Sequence, residues 1–166
     1  RRASVSVVDF FSPDFVFSLS SSEKNSTIQE ISDLVASKLN LKNSDKIVSA
    51  VLEREKEFGT ALGNGLAIPH ARTNLVTNPV LAVGRVSKAV DWDSPDGLPV
   101  RNIFFLLTPD GVEDLHVQIL SQIAKALRKK ENLDILNMSN YVLIQIALSP
   151  APCYTLEPAY RYHCEV

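Results

Sequence analysis

Val100-Arg101-Asn102-Ile103-Phe104-Phe105-Leu106-Leu107, closed by Thr108-Pro109-Asp110-Gly111 and followed by Glu113-Asp114-Leu115-His116, is the stretch on which the fold turns. Its unbroken apolar run, Ile103 to Leu107, has no polar alternation, which is the pattern of a central strand covered on both faces. The Pro-Asp-Gly cluster ends that strand. Acidic Glu113 or Asp114 then stands where carboxylates favour a helix start. Leu115, Ile119, Leu120, Ile123, Ala124 and Leu127 recur at helical spacing through to Arg128. His116 therefore falls in the first turn of an amphipathic helix directly after a central strand. The carboxyl ends of strands are where α/β proteins place their sites.

Upstream, Leu62-Gly63-Asn64-Gly65-Leu66-Ala67-Ile68-Pro69-His70-Ala71 carries a second histidine. The two glycines and the asparagine tolerate positive φ. Pro69 fixes its own φ and pushes Ile68 toward an extended conformation. The stretch reads either as a ring presented to a visiting macromolecule or as a strand end with an incidental histidine.

The flanking elements follow from pattern. Residues 9 to 19 cluster aromatic and aliphatic side chains; Pro13-Asp14 marks a turn, and Phe15 to Ser18 a short strand. Polar Ser20 to Asn25 forms a loop. Ser26 and Thr27, each with a Gln or Glu three positions on, form a capping box for a helix reaching about Leu39. Asn43 or Ser44 caps a second helix with Ile47, Val48, Val51 and Leu52 on its apolar face. That helix runs into the charged end Glu53-Arg54-Glu55-Lys56-Glu57 and stops near Gly59. Arg72 to Asn78 reads as loop and Pro79 to Val86 as strand, with a turn at Ser87-Lys88. Ser94-Pro95-Asp96-Gly97 is a strong turn. Residues 131 to 137 add a helical turn or two, while Tyr141 to Ile146 suits either a strand or a short helix.

Composition narrows the function. The chain has 166 residues and a formal charge of −2, which gives no basic field for nucleic acid. Neither a membrane-spanning apolar run nor a secretory leader is visible, so no membrane insertion and a cytoplasmic location are expected. Cys153 and Cys164 do not make a disulfide framework, and with His163 they are a poor metal set. Arg1-Arg2-Ala3-Ser4 resembles a basophilic kinase site, or is a frayed tail or cloning remnant. The expected organisation is a tail over 1–8, one domain over 9–148 and an irregular tail over 149–166.

HExxH, CxxC, dinucleotide-glycine and nucleophile-elbow motifs are all missing. What remains is His70, His116 and Arg54. Two such histidines serve as an acid/base pair, as ligands or as nucleophiles. The arginine suits a phosphoryl acceptor, because a phosphorylated ring needs a planar cation for its oxygens. A metal-dependent hydrolase using both histidines is a more distant alternative.

Arg54-Glu55, Gly59-Thr60 and Gly65-Leu66-Ala67-Ile68-Pro69-His70-Ala71 together resemble the signature of the mannitol/fructose-type enzyme IIA domain of the bacterial phosphotransferase system. The resemblance extends to Phe10 to Leu19, Val90-Asp91-Trp92, Gly97 to Val100, Phe104 to Pro109 and His116 before Ile119 to Ala124. It covers about residues 9 to 148. It implies a single α/β domain with a mixed central sheet flanked by helices on both faces. It also implies a phosphotransferase that takes a phosphoryl group from the carrier HPr, or a relative, and passes it to an enzyme IIB partner, with no cofactor and no metal. Carried over by position, the phosphorylated histidine is His70, the second active-site histidine His116 and the arginine Arg54. Thr60 and Asn64 are supporting donors, and Leu62, Leu66 and Leu75 are expected to form a shallow apolar docking patch around His70. The chain is expected to be free-standing and closest to the nitrogen-regulatory branch. The alternatives are a fructose- or mannitol-specific enzyme IIA acting in sugar uptake, and a regulatory binding module without onward transfer.

Overall fold

The structure, a computed structural model, describes residues 10–138. The tails, Cys153, Cys164 and the Tyr141 to Ile146 segment lie outside them. The described residues divide into two compact units, residues 10–117 and residues 118–138.

The first unit holds β1 (Phe11–Leu19), α1 (Lys24–Lys38), α2 (Ser44–Glu57), β2 (Ala61–Gly63), β3 (Leu66–Ala67), β4 (His70–Arg72), β5 (Val80–Val90), β6 (Val100–Thr108) and the first turn of α3 (Glu113–Leu127). Its sheet runs β1-β5-β6-β3-β2, with β4 also on β6. β6 is antiparallel to β5 and parallel to β3 and β4, while β1 is parallel to β5, so the sheet is mixed as the resemblance implied. The fold is of the expected α/β class.

The unbroken run in β6 has the expected cause. Ile103, Phe105 and Leu107 join one core with Ile28, Ile31 and Val35 of α1 and Ile47 and Val51 of α2. Phe104 and Leu106, on the other face, are fully buried as well. Each such side chain contributes roughly 1.5–3 kcal/mol through burial. α1 ends in a left-handed Asn40 (φ 56°), with Leu41 N–H donating to Ala36 O and Asn40 N–H to Ser37 O. This double closure turns the chain sharply into α2.

Four local expectations are corrected. Pro13-Asp14 lies inside β1, at a register shift between Phe11 and Val16. An edge strand with such an irregularity is where a proline, lacking an N–H, is tolerated. Ser87-Lys88 is likewise inside β5, which continues past a register shift to Val90. Arg72 belongs to β4, not to a loop. The capping box does not form, because α1 begins at Lys24, two residues before Ser26. Glu30 instead accepts hydrogen bonds from the backbone N–H and hydroxyl groups of Ser20 and Ser21. Partial burial opposes its charge, yet those bonds hold its carboxyl below the usual carboxylate range.

In the second unit, α3 continues from Gln118 with Ile119, Ile123 and Leu127 buried, and α4 spans Lys130–Met138. Among the described residues no helix is long and apolar enough to cross a membrane.

Candidate active site

The site is assembled where β4 lies against the carboxyl end of β6, with His70 paired to Leu106 and Arg72 to Thr108. The extended run from Leu66 to Arg72 follows β6 in one register, with Ile68-Pro69 between the paired segments β3 and β4. Ile68 N–H donates to Thr60 O at 3.0 Å, and Pro69 O accepts from Leu106 N–H at 3.1 Å. His70 enters β4 immediately after this pair.

The ring of His70 is 7% exposed, and its Nδ1 lies 2.7 Å from the carbonyl oxygen of Ile68. A carbonyl only accepts, so Nδ1 carries the proton and the neutral ring keeps its lone pair on Nε2. Burial pushes the His70 pKa down. The Ile68 hydrogen bond and the Glu55 charge oppose that shift, and the Arg54 and Arg72 charges reinforce it.

His116 stands in the first turn of α3, its backbone N–H bonded to Val112 O. Its ring lies 5.2 Å from that of His70, centroid to centroid, with the planes inclined at 51°. The Thr108 hydroxyl at the end of β6 is 2.6 Å from His116 Nδ1. Burial first, then the charges of His70, Arg72 and Arg54, bring the His116 pKa down to about 4. Both rings are thus held neutral at pH 7.

An open cavity of about 550 Å³ is lined by His70, His116, Arg54 and Arg72 together with Glu53, Glu57, Asp110 and Glu113. Arg54 projects from the last turn of α2, donates from Nη1 to Phe58 O at 3.2 Å and lies over the Phe58 ring. Arg72, two residues after His70 and so on the same strand face, pairs with Glu113 Oε1 at 3.4 Å. Among the described residues no group of three His, Cys, Asp or Glu side chains is placed to hold a metal ion.

The structure therefore brings His70, His116 and Arg54 to one cavity and leaves Thr60 and Asn64 off its lining. Thr60 is buried against Glu55. Asn64 is exposed in the β2–β3 turn, with φ 56° and its backbone N–H on Asp96. The expected apolar patch is corrected in part: Leu66 is buried, Leu62 is exposed, and none of Leu62, Leu66 and Leu75 lines the cavity, whose wall carries charged side chains. Three residues around the site are placed by the structure more than by the sequence. Arg72 reads as loop in the sequence, although strand alternation puts it on the same face as His70. Thr108 was read only as the strand's end. Glu55 was read as part of a charged tip, although it continues the buried row Ile47-Val51 at a spacing of four.

The family described as the phosphoenolpyruvate-dependent sugar phosphotransferase system, EIIA 2, matches residues 9–144. The chain belongs to this family. As an enzyme IIA of this type, it is a phosphocarrier domain whose membership implies phosphotransfer activity. It is 36% identical over 111 residues to a nitrogen regulatory protein of Pseudomonas aeruginosa, covering 67% of this chain and 72% of that protein. It is also 36% identical over 115 residues to the fructose-specific EIIABC component of Bacillus subtilis. That match covers 68% of this chain but spans only 18% of the relative's length. The crystal structure of the nitrogen regulatory protein IIA-Ntr from Neisseria meningitidis superposes with a TM-score of 0.79 at 27% identity, covering 86% of this enzyme IIA and 99% of that chain.

Proposed function

We propose that His70 Nε2 accepts a phosphoryl group from the phosphohistidine of an HPr-type carrier and passes it to an enzyme IIB or a regulatory protein. The observation that carries this reading is the Nδ1–Ile68 hydrogen bond, which leaves Nε2 unprotonated on a neutral ring lining the cavity. In the step, the P–N bond of the donor ring, protonated on its other nitrogen, breaks as the Nε2–P bond forms, and the donor ring leaves as neutral imidazole. Nδ1 keeps its proton, and the positive charge gained by the ring falls next to the Ile68 carbonyl. Phosphoryl transfer of this loose kind depends on alignment and charge complementarity. Arg54 supplies a guanidinium to the phosphoryl oxygens. Neutral His116, accepting the Thr108 proton at Nδ1, donates to them from Nε2. Thr60 supports the site through the backbone and Asn64 by shaping the hairpin. No cofactor is needed, because the group arrives activated.

The decisive experiment is incubation with enzyme I, HPr and phosphoenolpyruvate, followed by intact mass measurement. The chain gains one phosphoryl group, and His70→Ala abolishes the gain. An unmodified wild-type chain, or a gain surviving His70→Ala, overturns the assignment. The likeness to nitrogen regulatory proteins supports a regulatory role, in which phosphorylation state controls a target. The likeness to a fructose-specific component supports the second reading, transfer to an enzyme IIB for sugar uptake. Onward transfer of label to a purified IIB protein selects between them.

A further inference from the structure

Among the described residues Glu55 is the one buried carboxylate, 6% exposed. Burying a carboxylate is costly unless hydrogen bonds and charge compensate it. Glu55 is compensated by four donors. Thr60 N–H reaches Oε1 at 2.9 Å, and Thr60 Oγ1 reaches Oε2 at 2.5 Å. Trp92 Nε1 lies 3.0 Å and Lys24 Nζ 2.9 Å from Oε1. Burial works against its charge, but these partners hold its carboxyl below the usual range, so it is ionised.

Two of the four bonds fix Thr60, and the line continues from there. Thr60 O accepts from Ile68 N–H, and Ile68 O accepts from His70 Nδ1. Between its pairings at Ala67 and His70 the chain keeps one register on β6, and Ile68 turns its N–H and carbonyl to Thr60 and His70 instead. Pro69 confines Ile68 to extended φ/ψ. Once its N–H is fixed, the direction of its carbonyl is fixed too.

We infer that Glu55 is a positioning residue for phosphoryl transfer, acting through Thr60 and Ile68 to set the orientation and tautomer of the His70 ring. The inference rests on the reading that His70 carries the phosphoryl group. A ring turned away from in-line geometry, or protonated on Nε2, cannot attack. Misplacement of this kind lowers rates by up to about a hundred-fold.

The test uses the full chain. Nitrogen-15 NMR of His70 in the wild type shows the Nδ1–H tautomer. Glu55→Gln leaves one acceptor oxygen where two served, so the ring becomes a mixture with Nε2–H. Transfer from preformed phospho-HPr then slows about ten-fold, with KM for phospho-HPr unchanged. Thr60→Val, which removes only the hydroxyl bond, shifts the tautomer in the same direction, and Thr60→Ser brings it back. A folded Glu55→Gln chain with a purely Nδ1–H ring, or one slowed without any change of tautomer, overturns the inference. Should Glu55→Gln not fold, an unchanged ring in Thr60→Val overturns it alone. Because the tautomer is read without a phosphoryl donor, a chain that never takes up phosphate refutes the carrier reading and leaves this result to stand or fall separately.

Discussion

His70 and His116 face each other at a distance where two positive rings repel, beside two guanidinium groups. Neither ring gains a proton readily. In an NMR titration the His116 ring should have its midpoint near pH 4, and His70 should titrate below the ordinary histidine value of 6.5. The consequence for stability has a definite sign. An unfolded chain takes up these protons below about pH 6.5 while the folded chain resists them. The stabilising difference is complete above that pH and is lost as pH falls toward 4. Urea midpoints should therefore drop across this window in the wild type and drop less in His116→Gln. Arg54 offers a second test. Its planar fork suits phosphoryl oxygens better than an ammonium does. Arg54→Lys should slow phosphoryl acceptance by about ten-fold or more while leaving the unfolding free energy within about 0.5 kcal/mol of wild type. Stopped transfer assays and denaturation together check both halves. At this scale the sequence was informative about residues with unusual chemistry in unusual places, such as a histidine behind a proline. Glu55 stands in the Arg54-Glu55 pair of the signature, yet one carboxylate among five consecutive charged residues carries no label saying which is buried. Only its place in the Ile47-Val51 row does so.

Among the elements, α1 brings Ile31 against Gly84 of β5. A Cβ there would fall 2.6 Å from Leu19 Cδ1 and 3.1 Å from Ile31 Cδ1. Both neighbours are buried, so neither methyl has free space to move into. Gly84→Ala should destabilise the fold by about 1–3 kcal/mol, read as a lower urea midpoint with an unchanged slope. Helix spans were legible because burial of one face imposes a period on the sequence, and the central strand because burial of both faces leaves an unbroken apolar run. Irregularities inside strands were not. Pro13 and the Ser87-Lys88 pair look like turns, yet β1 and β5 absorb them as register shifts, since pairing on either side outweighs the local preference. The capping box failed for a related reason. Glu30 has four donors waiting in the preceding loop, which outcompete a single N–H at its own helix start.

For the whole molecule, a chelator separates the carrier reading from that of a metal-dependent hydrolase. Transfer from preformed phospho-HPr should proceed at an undiminished rate in excess EDTA. A rate restored only by added metal would favour the hydrolase. The α/β class was legible through the family resemblance, to which the covered strand at Ile103 to Leu107 and the helix after it conform. Strand order was not, because pairing β1 with β5 joins segments some sixty residues apart on which local patterns bear no mark.

The single register that the chain keeps from Leu66 to Arg72 has one more consequence. The backbone is fastened to β6 before Ile68-Pro69 at Ala67 and after it at His70, so the imidazole has a seat without a hinge. On the proposed reading, a phosphoryl group carried there would arrive and depart through the same open cavity, and its direction of travel would rest with the relative lability of the bonds being exchanged.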